Sequence, residues 1–449
     1  RVYSGNRSAS PPIALFSATP LLDTPVFGYH SNQLKTWQVA MAHELWNMRL
    51  ISHDLLNGYP NIGEGMAIQE TSDGRRVLWL AHESVIDFTA VDVTDPSNTR
   101  VITQRELPHP RMRSNSLAVV GDTMYLAHQT QERGMPDSGM VIYDISSPEQ
   151  PRIIGNFDTG PSQGCHVLWC VDGEYAHLAT AMPDSNPHSQ RDHQFYVIVD
   201  VKDPTNPREA GRWWVPGVMT EDVAPPIERH QPDMGSSAHN TNVYPQRPDR
   251  AYCCFKDAGV IILDISDKAH PKEISRLDYH PPMPQPAFTH TAVPLFDRGL
   301  MIVTDESVRE AGEDWPKLVW MMDISTETNP TIISTLPLPP QEELASRPGR
   351  YGAHNVHENQ PVPTSFSSDQ LVFGTYFNAG LRVHDISNPF QPKEIAYFIP
   401  EIAGANKLDG HYADALPGMN INDVYVDENR VIYTVDRQRG GLYILEMTV

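Results

Sequence analysis

One short unit recurs through the chain, and its clearest copy runs from Gly380 to Pro400 (GLRVHDISNPFQPKEIAYFIP). Leu381 and Val383 alternate with polar neighbours, the period of a half-buried strand. Asp385-Ile386-Ser387-Asn388-Pro389 interrupts that run with residues that favour turns. Pro392 then opens a second run that ends on Ala396, Tyr397 and Phe398.

The same pattern is written elsewhere. Val141-Ile142-Tyr143-Asp144-Ile145-Ser146 leads to Pro148 and Pro151, and Ile261-Ile262-Leu263-Asp264-Ile265-Ser266 leads to Pro271. Related copies surround Asp92, Asp200 and Asp323, and the chain closes on Leu442-Tyr443-Ile444-Leu445-Glu446. These seven marks recur at intervals of about 50 to 65 residues, the scale of a propeller blade. The units resemble LVIVD repeats, a family of bacterial and archaeal β-propellers, from about residue 48 to the end. The resemblance implies an all-β, seven-bladed β-propeller. It implies little about activity, because propellers host many unrelated functions.

Length alone, 449 residues, suggests two or three domains. The repeat overrides that prior, since blades share one toroidal architecture. We therefore expect an irregular N-terminal arm over 1–47 and the propeller over 48–449. Gln38 to Met48 has the composition of a short helix within the arm. The last unit is one strand short, and Arg49 to Leu56 (RLISHDLL) has an outer-strand pattern. Pairing it with the C-terminal strand would complete the seventh blade and close the ring, which removes exposed edges. The blades then begin near Asn61, Arg113, Gln163, Ser237, Phe288, Gly352 and Ile421. Each once-per-blade aspartate is expected to bond its turn backbone, as scaffold rather than chemistry.

The net charge of −22 disfavours nucleic acid and anionic membrane surfaces as partners. No run of 18 or more apolar residues is available to span a membrane. Cys165, Cys170, Cys253 and Cys254 lack zinc-finger spacing and read as buried small hydrophobes. The first residue, Arg1, fits a processed secreted or periplasmic chain, and a cytoplasmic one is compatible too. The oligomeric state is open.

Chemistry enters when the starts of the inner strands are aligned. Blade three reads Gly164-Cys165-His166, blade four Ser237-Ala238-His239, blade five Phe288-Thr289-His290 and blade six Gly352-Ala353-His354. At the matching position blade one has Glu64, blade two Asn115 and blade seven Asn422. Equivalent positions in a propeller lie on a ring about its axis. Four consecutive blades thus place an imidazole on that ring, a donor suited to zinc, copper, iron or nickel. Histidines at strand starts can also serve only to bond neighbouring backbone, and a slip of one residue would turn them away.

The expectation is a site at the mouth where the long interblade loops gather. His166, His239, His290 and His354 are its metal ligands, and a small molecule is its substrate. Iron or copper redox chemistry leads, because no carboxylate is obvious in the ligand set. Zinc or manganese in a lyase or hydrolase is the first alternative, and a non-catalytic scaffold the second. His82 and His128, at the ends of second strands, join His411 in a long loop and Glu64 as candidate general acids or bases. The site is similar by analogy to histidine-lined propeller mouths in carotenoid-cleaving oxygenases and methanethiol oxidases, although no motif specific to either occurs.

Overall fold

The computed structural model describes residues 43–229, 233–278, 288–401 and 418–449. They form seven antiparallel sheets, each one blade of a β-propeller. Blade three shows the common plan, with strands Cys165–Trp169, Tyr175–Thr180, Phe195–Asp200 and Arg208–Trp213 running in order from inner to outer. The two middle strands are buried almost throughout, over Ala176 to Thr180 and Phe195 to Val199, because both faces pack on neighbouring blades.

The repeated aspartates terminate the third strands as the turn chemistry requires. The Asp144 carboxylate accepts from the Ser146 N–H at 2.9 Å, Asp264 from Ser266 at 2.9 Å, Asp323 from Ser325 at 2.8 Å and Asp385 from Ser387 at 2.8 Å. Asp92 and Asp200 make the same bond to Thr94 and Lys202, both at 3.1 Å. They are scaffold, as their recurrence predicts.

Ring closure follows the expected route. The N-terminal strand Met48–Asp54 pairs with Gly441–Met447, the last strand of the chain, and completes blade seven. Arg49 Nε donates to Glu446 Oε1 at 2.6 Å across this seam, so the final unit's Glu serves the closure.

One expectation is corrected over the described residues. Residues 44–48 are not helical: Glu44–Trp46 is a short strand added to the outer edge of blade six, against Lys393–Ile399. Edge pairing there satisfies backbone groups that an isolated helical turn would leave open. The regular chain therefore starts before residue 47. The remainder of the expected arm and helix, residues 1–42, lies outside the described residues.

The inner strands depart from regular pairing at one recurring place, and it is the place where the histidines occur. In blade three Cys165 pairs with Thr180 and Val167 with Ala179, so His166 is the extra residue of a β-bulge. His290 and Asn422 are the extra residues in blades five and seven. In blade one the shift spans Ile62 to Met66 and contains Glu64. Blades four and six show the same two-against-one bonding: Cys254 faces both His239 and Asn240, and Thr375 faces both His354 and Asn355. A bulge bends the strand and re-aims the extra side chain. Here it turns a ring of residues toward the axis.

Candidate metal centre

The four aligned histidines meet. Their rings follow one another around the axis with centroid separations of 4.7 Å (His166 to His239), 3.9 Å (His239 to His290) and 4.5 Å (His290 to His354). All four are buried. The Nε2 atoms of His166 and His239 approach to 3.0 Å. Glu64 completes the group from blade one: its Oε2 lies 3.5 Å from His290 Nε2 and its Oε1 3.5 Å from His354 Nε2.

Glu64 reaches the axis because its neighbours have no side chains. A Cβ at Gly63 would lie 2.7 Å from the Asn115 carbonyl oxygen, and one at Gly65 only 2.3 Å from the Leu117 nitrogen. The Gly-Glu-Gly sequence thus lets blade one close against blade two, and the Glu64 N–H donates to the Asn115 carbonyl at 2.6 Å.

Each imidazole is held through its other nitrogen. The Nδ1 atoms of His166, His239, His290 and His354 face Gln129 Oε1 at 2.9 Å, Asn240 Oδ1 at 2.9 Å, Thr291 Oγ1 at 2.7 Å and the Asn422 carbonyl at 2.7 Å. Oxygen partners at Nδ1 favour the Nδ1–H tautomer and leave Nε2 with a free lone pair. His166 has a competing neighbour, since Arg113 Nη2 lies 3.1 Å from the same nitrogen. That contact favours the opposite tautomer, in which His166 Nε2–H donates to His239 Nε2.

At the centre, hydrogen bonding stops. His290 Nε2, His354 Nε2 and Glu64 Oε2 are buried and make no hydrogen bond. Leaving a buried polar group unsatisfied costs about 1–3 kcal/mol. A metal with bonds near 2.0–2.1 Å sets neighbouring ligand atoms about 3 to 3.4 Å apart. The observed separations lie close to that range. Three overlapping groups have ligand atoms within 4.8 Å of one another: Glu64 with His166 and His239, Glu64 with His290 and His354, and Glu306 with His239 and His290.

A belt of charged pairs surrounds the imidazoles. Glu306 Oε1 is 3.6 Å from His354 Nε2 and 2.8 Å from Arg350 Nη1. Arg437 Nη2 donates to Glu64 Oε1 at 2.8 Å, and its Nε donates to Glu83 Oε1 at 2.9 Å. Glu83 also pairs with Arg113 Nη1 at 2.7 Å.

Burial opposes ionisation of Glu64, yet the His290 and His354 imidazoles and the Arg437 guanidinium hold it well below the usual carboxylate range. Burial likewise opposes Glu83 and Glu306. Arg113 and Arg437 lower Glu83 to about 2, and His354 and Arg350 lower Glu306 to about 2. Burial pushes His166 and His239 well below their ordinary value, helped by Arg113 for the first and His290 for the second. His354 is lowered by burial and by His290. Lowered values at His166, His239 and His354 beside lowered carboxylates favour the deprotonated donors that a metal requires.

Alignment of the strand starts grouped four histidines that lie together in the structure, and it missed the belt. Glu83 and Gln129 follow His82 and His128, the residues singled out at second-strand ends, and Glu306 and Arg437 follow Asp305 and Asp436 at the equivalent ends of blades five and seven. Successive strand residues face opposite ways, so choosing one selects against the other. The available signal was a polar or charged residue at this next position in four blades.

His82 and His128 are corrected as candidate acid–base groups at the mouth, because both point between blades. His82 Nε2 bonds Thr89 Oγ1 at 2.7 Å. His128 Nε2 bonds Asp87 Oδ1 at 2.9 Å, and the Tyr143 hydroxyl donates to Asp87 Oδ2 at 3.1 Å. His357 is turned away from His354, as its spacing requires, and Nε2 bonds the Phe366 carbonyl at 2.7 Å. His411 lies outside the described residues. All four cysteines are buried and free.

A narrow channel continues along the axis below the centre. Glu64, Leu168, Asn240, Asn355, Glu358 and Asp423 are among its walls, and its void of about 30 Å³ holds on the order of two waters. Burial raises Glu358, and burial with Glu358 nearby raises Asp423 well above the ordinary carboxyl value.

Comparison with known proteins supports the fold. The LVIVD repeat model matches residues 113–159, 193–214 and 249–278. A search of curated proteins finds no match. Among solved structures, the Cps50 (Swd1) β-propeller domain of Myceliophteria thermophila is similar over 87% of this chain and 98% of that chain, at 9% identity and a TM-score of 0.50. A Lactobacillus plantarum protein is similar over 79% of this chain and 90% of that one, at 14% identity and a TM-score of 0.49. At such identities the likeness concerns fold alone. The chain is a seven-bladed β-propeller that carries LVIVD repeats.

Proposed function

We propose that the axial cluster binds one transition metal ion through His166, His239, His290 and His354, and that the protein is a metal-dependent oxidoreductase acting on a small molecule. The observation that carries this reading is the asymmetry of the imidazoles. Every Nδ1 is engaged, while the Nε2 atoms converge on buried Glu64 and two of them have no hydrogen-bond partner.

The donor set argues for the kind of metal. Imidazole nitrogen suits iron, copper, zinc and nickel, whereas all-oxygen sites suit magnesium and calcium. Glu306 adds a carboxylate that was absent from the reading of the sequence alone, and Glu64, read there as an acid or base, lies close enough to ligate. Mixed nitrogen and carboxylate donors move the preference from copper toward iron. Glu64 can either ligate or hold a proton beside the metal, and Arg437 orients it for both. The bound metal would supply redox or Lewis-acid chemistry. The chain's own residues fix the imidazole tautomers, balance charge and limit water.

The test is elemental analysis by plasma mass spectrometry on protein purified without a metal-affinity tag, beside a His290→Ala variant. Near-stoichiometric iron or copper that disappears in the variant is the expected result. Zinc or manganese would move the reading to a lyase or hydrolase. No metal in the wild type, even after reconstitution, would sink it in favour of a binding scaffold.

A further inference from the structure

The ring of aligned residues has seven members, and four of them are imidazoles. Asn422, Glu64 and Asn115 are the other three, from blades seven, one and two. Contacts between neighbours close the ring. His354 Nδ1 faces the Asn422 carbonyl at 2.7 Å, and Asn422 Nδ2 donates to the Gly63 carbonyl at 2.6 Å. The Glu64 N–H donates to the Asn115 carbonyl at 2.6 Å, and Asn115 Nδ2 lies 3.4 Å from His166 Nδ1. Asn422 therefore stands between His354 and Glu64, and Asn115 between Glu64 and His166. The centre has an imidazole side over blades three to six and an amide side over blades seven, one and two.

The amide side is short of hydrogen-bond donors. Asn115 and Asn422 are fully buried, and the Oδ1 of each makes no hydrogen bond among the described residues. Their nitrogens are directed elsewhere, Asn422 Nδ2 to the Gly63 carbonyl and Asn115 Nδ2 toward the His166 carbonyl at 3.5 Å. Those carbonyls set which end of each amide is the acceptor. An amide carries no titrating proton, so both oxygens stay acceptors whatever the protonation of the histidines and of Glu64. Each buried acceptor left unmet costs about 1–3 kcal/mol. Two of them, one on either side of Glu64, call for a donor that serves both. Space is small there: the axial void that Glu64 borders is about 30 Å³, room for on the order of two waters.

We infer that Asn115 and Asn422 hold a water molecule beside the metal ion, each accepting one of its hydrogens. The inference rests on the metal reading above and names two further positioning residues of that site, with the small ligand that they hold. A water that donates both hydrogens to the amide side turns its oxygen lone pairs to the imidazole side, where the Nε2 atoms converge. The open position of the centre then lies over blades seven, one and two, and a substrate meets or replaces the water there. Structural metal sites close their ligand shell, whereas catalytic sites keep such a position for water.

Copper(II) serves as a spectroscopic probe of both propositions. The full chain is loaded with copper(II), its stoichiometry is measured, and electron–nuclear double resonance is recorded in oxygen-17 water. The expected result is one copper per chain with an oxygen-17 coupling from a single water. The residence time of that water is then read from water-proton relaxation. Asn115→Leu and Asn422→Leu should keep the copper stoichiometry and each shorten the residence time by about fivefold, the scale of one hydrogen bond. Asn115→Asp keeps an acceptor oxygen and should restore it. Where a leucine variant does not fold, the wild-type oxygen-17 result tests the water by itself.

Failure to take up copper overturns the metal reading itself. Copper uptake without an oxygen-17 coupling leaves that reading intact and overturns this inference. So does a coupled water whose residence time is the same in the wild type and in both leucine variants, since the two asparagines would then not hold it.

Discussion

The molecule buries histidines in two kinds of surroundings, and the contrast separates scaffold from candidate chemistry. Between blades one and two, His128 bonds Asp87 on one side and the Asp137 carbonyl on the other, while Tyr143 fills the second Asp87 oxygen. That network is complete within the protein. On the axis, the histidines are equally buried and equally well held at Nδ1, yet their Nε2 atoms gather where His290 and His354 find no partner. Burial and repetition are common to both places. His82 Nδ1 also lacks a hydrogen-bond partner, so what distinguishes the axis is that several unmet groups converge on one point.

The contrast can be tested where each region is weakest. The largest expected effect is on the closed network. Asp87→Ala leaves His128 and Tyr143 without their shared acceptor inside the protein. Breaking a buried pair in this way costs about 3–5 kcal/mol, which a shifted urea midpoint would record. Metal content should be unchanged. A loss of metal in this variant would mean that the two regions are coupled.

On the axis the effect should have the opposite character. With free metal about a thousandfold above its dissociation constant, the wild type should gain about 4 kcal/mol of stability. His290→Ala should gain essentially none, by the same calorimetric or denaturant measurement. An equal gain in both proteins would place the metal elsewhere.

A smaller effect is expected one step out. Asn240 accepts from His239 Nδ1 and donates to Glu358 Oε1 at 2.8 Å. Asn240→Ala should weaken metal binding by about 10–100-fold and leave stoichiometry at one, as measured by competition with a chelator. Unchanged affinity would assign Asn240 to packing.

The finest comparison lies within the scaffold, between two histidines at equivalent positions in adjacent blades. Burial lowers His82 to about 3. Burial opposes protonation of His128 too, but the Asp87 charge outweighs it and the value is raised. The linkage signs therefore differ. The His82 contribution is present above about 6.5, the unfolded value, and is lost as pH falls toward about 3. The His128 contribution is present below about 6.5 and is lost as pH rises through its folded value. Thermal melts of His82→Asn and His128→Asn against pH should thus diverge from wild type in opposite directions. The divergence should reach at most about 1.4 kcal/mol for each tenfold difference in proton affinity between the folded and unfolded chain. Parallel profiles would contradict the assigned partners.

Much of this was legible in the chain. The aspartate marks announced the blades because an Asx turn needs the same residue in every copy. The closing strand was legible because blade seven lacked one and RLISHDLL carried the pattern. The histidine ring followed from alignment of strand starts, although its inward aim depends on bulges that no residue at those positions specifies by itself. His82 and His128 were misplaced because a strand end offers two successive residues with opposite aims. Thr89, which captures His82, belongs to the next strand, and Asp87, which captures His128, belongs to the third strand of the preceding blade. The Gly-Glu-Gly of blade one was visible, but its purpose required the neighbouring backbone at 2.3 Å.

Metal ligation can be read by X-ray absorption at the edge of the bound metal. If the axial cluster is the centre, the fine structure of the loaded protein should fit imidazole nitrogens near 2.0–2.2 Å, with the outer-shell scattering of several rings, and should change in His290→Ala. A spectrum fitted by water oxygens alone, or one that is the same in the variant, would contradict that assignment and return the histidines to the scaffold.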